Sequence, residues 1–141
     1  MNLRFNKVIA GIGKLLFRVD SYAYFYIALI WTVTTLYLSL VSAKTLSSMH
    51  FWNLPGLDKI AHTVFYIVFS FLWCMTISRK KNRMLMVIIF AISFGVAMET
   101  GQYWMRSGRA FEVLDIIVNT AGAIIGSGIF RWMQSIQTGH N

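Results

Sequence analysis

The sequence predicts an all-α membrane protein with four transmembrane helices, N and C termini cytoplasmic, preceded by an interfacial amphipathic N-terminal helix. Three observations carry this. Apolar residues make up 57% of the 141-residue chain and charged residues only 13%, against about 25% charged in an ordinary soluble domain. Four stretches reach the length of about 20 apolar residues that a bilayer crossing needs. Lys and Arg gather on one side of the topology those stretches define, as cytoplasmic loops do.

Residues 1–20 read as the interfacial helix. Arg4, Lys7, Gly11, Lys14 and Arg18 recur at three- and four-residue steps, while Phe5, Val8, Ile9, Ile12, Leu15, Leu16 and Val19 fill the opposite face. A basic amphipathic helix of this kind lies on an anionic leaflet. Residues 21–141 form the membrane domain, with spans at about 22–43, 57–78, 84–104 and 113–132. The first span is uncharged. Val41-Ser42-Ala43 resembles a signal-peptide cleavage site, but the apolar run before it is about twice the usual 7–15 residues, so it reads as an uncleaved span. The second span carries Asp58, Lys59 and His62 in its first turns and ends at the basic hairpin of residues 79–83. Glu99 is the only charge of the third. The loop of residues 106–109 leads to the fourth, which holds Asp115 and Asn119.

Charge placement sets the orientation. The N-terminal segment, the 79–83 hairpin and the C-terminal end hold nine of the thirteen Lys and Arg with Asp20, a net +8. Lys44, Lys59, Arg106 and Arg109 balance Asp58, Glu99, Glu112 and Asp115 on the other side. Both termini are therefore expected in the cytoplasm and the protein in the cytoplasmic (inner) membrane as a multi-pass protein. The same placement argues against a nucleic-acid partner, although the net charge alone invites one. A single cysteine, Cys74, leaves no internal disulfide, and no Cys/His spacing points to zinc.

The fewest and most informative residues are the ionisable ones within the spans. His62, Glu99 and Asp115 each lie sixteen or seventeen residues from a basic residue at the far end of their own segment, Arg79, Arg83 and Arg131. At helical rise that is about 24–26 Å, so three helices place titratable groups in one layer near one face. Such groups are costly in hydrocarbon and face a bundle interior or cavity. Asp58, His62 and Tyr66 share a helix face at four-residue steps, with Lys59 beside them. Glu99 and Gln102 share a second, and Asp115, Asn119, Gly122 and Gly126 a third. Helix capping by Asp58, snorkelling by Lys59, register-fixing by Glu99 and helix bridging by Asn119 are the structural readings of the same residues. Gly122-x-x-x-Gly126 suits close packing within the bundle and also offers an oligomer contact. Arg109 can clamp a phosphate or carboxylate, or pair with Glu112 or Asp115.

These pieces resemble the VanZ-like family of small bacterial integral membrane proteins. The matching residues are Asp58-Lys59-x-x-His62-x-x-x-Tyr66, Glu99-x-x-Gln102, Gly108-Arg109, and Asp115-x-x-x-Asn119-x-x-Gly122 with Gly126, in the family's order over about residues 57–130. Ser107 stands where the family often has proline. The resemblance implies that the polar residues act as a set. The family's namesake is associated with low-level resistance to the lipoglycopeptide teicoplanin, a phenotype that does not carry over to this chain on resemblance alone.

The expected function is an outward-facing polar site at the membrane boundary, binding a lipid-linked or amphipathic, glycopeptide-like envelope ligand. Asp58, Lys59, His62, Tyr66, Glu99, Gln102, Arg109, Asp115 and Asn119 would form it, with Lys59 and Arg109 holding anionic groups. An intramembrane acid–base enzyme using His62, Glu99 and Asp115 is the first alternative. A structural bundle whose polar residues fix helix packing is the second. Whether the protein is an enzyme stays open at this level. No cofactor or metal is expected, and the partners are membrane lipids and the envelope ligand.

Overall fold

Residues 3–40, 56–77, 82–104 and 111–138 are described by a computed structural model, and among them the only regular secondary structure is α-helix. The order is α1 (Leu3–Leu16), α2 (Ser21–Leu40), α3 (Leu57–Thr76), α4 (Arg83–Trp104) and α5 (Val113–Thr138). Helices α2 to α5 are each long and apolar enough to cross a membrane.

Large apolar side chains face outward as well as inward. Ile30, Val33, Val64, Ile89, Ile117 and Ile124 are exposed, while the buried stripes mix apolar residues such as Phe69 and Phe130 with small and polar ones. On α2 that stripe is Tyr24, Ala28, Thr35 and Ser39. On α4 it is Val87, Ala91, Gly95, Met98, Glu99 and Gln102. Lipid tails cover isoleucine as well as another helix does, so association rests on close packing and hydrogen bonds.

Helices α3 and α5 form the most extensive contact. A Cβ on Gly122 would stand 2.5 Å from the Thr63 carbonyl oxygen, and one on Gly126 would press still further inside van der Waals contact with the Ile67 carbonyl. The pair of glycines thus packs within the chain against α3. Beside this seam Phe69 stacks on Phe94 with centroids 5.5 Å apart, and Trp73 and Phe90 meet edge to face at 5.3 Å. Trp31 and Trp73, assigned no role from sequence, tie α2 to α3. The Trp31 indole N–H donates to the Phe65 carbonyl at 3.0 Å, and that of Trp73 to Thr32 Oγ1 at 3.1 Å.

Two boundaries differ from the sequence expectation. The interfacial helix stops at Leu16 because Asp20 begins a new one: its carboxylate accepts the Tyr22 N–H at 3.2 Å, an N-cap for α2. Helix α5 runs beyond Arg131 to Thr138. The sequence expectation ends the span at about 132, but Gln134, Ser135 and Gln137 continue the helix, and Gln137 packs on Gly13 of α1. Of α1, Gly13 is buried and Leu16 and Phe17 pack against the core, whereas Val8, Ile12, Leu15 and Val19 stay exposed beside Lys14 and Arg18.

Candidate ligand site at one end of the bundle

Leu57 opens α3 directly after Gly56, whose backbone is left-handed with φ 80°. That turn sets Asp58, Lys59 and His62 on the first turns of the helix. The Asp58 carboxylate accepts backbone N–H groups of the first turn, its own and that of Lys59. It also joins a cluster of three carboxylates around the Lys59 ammonium: Asp58 Oδ2 at 2.9 Å, Glu112 Oε2 at 2.6 Å and Asp115 Oδ1 at 2.5 Å. These carboxylate oxygens lie close enough together to hold a cation, and the ammonium of Lys59 supplies it. Its charge is committed to the protein.

One turn deeper, the His62 Nδ1–H donates to Asn119 Oδ1 at 3.1 Å. The other imidazole nitrogen, Nε2, stands 3.8 Å from Asp115 Oδ2, within ion-pair range and beyond a hydrogen bond. Asp115 thus touches both Lys59 and His62. Asn119 is only 2% exposed. Its amide packs against Gly95 of α4, where a Cβ would come 3.4 Å from Nδ2 and 3.3 Å from the Tyr66 hydroxyl. The absent side chain at Gly95 is what lets Tyr66 and Asn119 meet α4. The Tyr66 hydroxyl is buried and has no hydrogen-bond partner among the described residues.

Glu99, 1% exposed, reaches across from α4 to the start of α5, where its Oε2 accepts the Glu112 backbone N–H at 3.1 Å. The first amides of a helix lack partners within it and carry the positive end of its dipole, so a carboxylate there is favoured by about 0.3–1 kcal/mol. Gln102 turns the other way and donates through Nε2 to the Ser39 carbonyl of α2 at 2.6 Å. It braces the first span against α4.

The structure therefore brings Asp58, Lys59, His62, Asp115 and Asn119 into one connected network, with Tyr66 and Glu99 bordering it and Gln102 set apart from it. Arg109 lies outside the described residues. Glu112 is the member the sequence reading left out of the site. Its signal was its place one turn before Asp115 at the head of α5. Ser39 contributes only its carbonyl, which no side-chain pattern announces.

Helices with apolar outer faces, a Gly-lined seam and a polar network of this order invite comparison with known families. A model of the VanZ/LLP1 family matches residues 12–134. The chain belongs to the VanZ/LLP1 family. Comparison with curated proteins and with solved structures gives no match. The VanZ/LLP1 match takes in four membrane-capable helices and the whole network, and with them the protein is a multi-pass membrane protein.

Proposed function

We propose that the polar end of the bundle is a ligand site facing the outer side of the cytoplasmic membrane, and that it binds the headgroup of a lipid-linked or amphipathic envelope molecule. The observation that carries this reading is the convergence of Lys59, His62, Asp115 and Asn119 from two helices, backed by buried Glu99 from a third. Polar groups in hydrocarbon are costly, and a span that only had to pack would do without most of them. The network is graded: Asn119 and Glu99 are buried, whereas the Asp58 and Glu112 side chains are 39% and 51% exposed. A headgroup would meet carboxylates and imidazole at this rim, which accept hydrogen bonds from sugar hydroxyls and amines. The buried Tyr66 hydroxyl supplies a further donor behind them. The outward orientation rests on the cytoplasmic bias of Lys and Arg.

The test uses the full chain in nanodiscs, with a fluorescent polyprenyl-linked saccharide and a lipid-tailed glycopeptide as probes. His62→Ala and Glu99→Gln are expected to weaken binding of one probe at least about tenfold with little change in melting temperature. Unchanged binding with a large fall in melting temperature would return these residues to a structural role.

The approach of His62 Nε2 to Asp115 favours a second reading, an intramembrane acid–base enzyme acting on the same headgroup. Product formation by purified protein, abolished in His62→Ala, would select it over binding alone.

A further inference from the structure

The opposite end of the bundle holds a cleft of about 460 Å³ lined by Asn82, Arg83, Met84, Leu85, Arg131 and Gln134. We propose that this cleft binds a phosphate-bearing anionic headgroup, at a site separate from the polar network. Arg83 and Glu99 are sixteen residues apart on α4, which puts the two ends about 24 Å from each other.

Among the described residues that line it, the cleft is chemically one-sided: two guanidiniums, two side-chain amides and no carboxylate. Arg83 is held in place from two directions. Its guanidinium lies over the Phe130 ring, 4.8 Å from the centroid, and its Nη2 donates to Gln134 Oε1. The planar fork of a guanidinium matches a phosphate. Arg131 reaches the same cleft from α5 and is exposed. The floor is the first turn of α4. The Met86 N–H donates to the Asn82 carbonyl, just ahead of the helix, at 3.1 Å. The amides before it have no acceptor within the helix, and they add the positive end of the dipole. Preorganised guanidinium, second guanidinium and helix start thus surround one space at the edge of the apolar layer. The anion available at that depth in a membrane is a lipid phosphate. Free phosphate offers the same chemistry, and the test separates the two.

The experiment places the full chain in phosphatidylcholine nanodiscs containing a minor fraction of phosphatidylglycerol and counts retained phosphatidylglycerol by native mass spectrometry. Arg131→Gln is expected to lower retention about tenfold, the effect of losing a charge-assisted contact. Arg131→Lys, which keeps the charge without the fork, should fall between. Arg18→Gln removes the same charge from exposed α1 at the same end and should leave retention unchanged. Displacement of the lipid by millimolar inorganic phosphate would assign the site to free phosphate, and persistence of the lipid to a headgroup. Equal retention by wild type and Arg131→Gln, or an equal loss in Arg18→Gln, would overturn the proposal.

Discussion

A lysine near the start of a membrane helix is ordinarily free to reach the headgroups, but Lys59 is surrounded by three carboxylates within 2.9 Å. Asp115 needs it most, since that carboxylate is 7% exposed and its other neighbour is the His62 imidazole. Lys59→Met should therefore destabilise the protein by about 1–3 kcal/mol, less than a fully buried pair because the Glu112 side chain meets solvent. Adding Asp115→Asn to Lys59→Met should recover part of the loss, because it removes the carboxylate left uncompensated. Thermal unfolding of both proteins in detergent reads this coupling, and strictly additive losses would show that the two residues do not depend on each other. The identities of the network residues were legible in the sequence, because each is an ionisable or amide group interrupting an apolar run. Their pairing was not. Lys59 could have faced headgroups, ligand or carboxylates, and only the placement of Glu112 at the head of α5 decides among these. Glu112 itself was hard to find because it lies just outside a span, where an acid is ordinary.

At the scale of the helix, the spans could be read because each needs a continuous apolar run, and all four begin within a residue of where hydropathy puts them. What hydropathy could not supply was the polar tail of α5, since a helix leaving the apolar layer is held by contacts such as Gln137 on Gly13 and no longer by lipid. Nor could it say which helix the Gly122–Gly126 stripe faces. That stripe faces α3, at a separation set by backbone carbonyls that cannot rotate aside. Gly126→Ala should push α5 off α3 and cost about 1–3 kcal/mol, with Gly122→Ala close behind. Gly128, on the same helix with nothing within 4 Å of a new Cβ, is the control. Gly128→Ala should be neutral or stabilising by up to about 1 kcal/mol, through helix propensity alone. Melting temperatures of the three variants check the assignment, and equal behaviour of all three would mean the seam is not tight. Because α3 and α5 also carry His62 and Asn119, Gly126→Ala should weaken the network at the same time.

Taken whole, the molecule separates two kinds of polarity to its two ends. Lys14, Arg18, Arg83 and Arg131 stand at the end where α1 meets the tail of α5, and the carboxylate network stands at the other. Helix α1 fits this division. One side of it docks through Gly13, Leu16 and Phe17, while Val8, Ile12, Leu15 and Val19 form an exposed apolar stripe beside exposed Lys14 and Arg18. A helix with one docked side and an exposed apolar stripe beside basic residues is expected along the interface of an anionic leaflet. The positive bias expects that leaflet to be cytoplasmic. Cys74 is buried, so single introduced cysteines can report the orientation against a low background. Lys14→Cys and Phe111→Cys occupy exposed positions at opposite ends. In intact cells a membrane-impermeant maleimide should label Phe111→Cys, and should reach Lys14→Cys only after permeabilisation. The reverse pattern would turn the network toward the cytoplasm, where no envelope headgroup reaches it. The proposed ligand would then have to be sought among cytoplasmic molecules, and the basic cleft would face the outer leaflet.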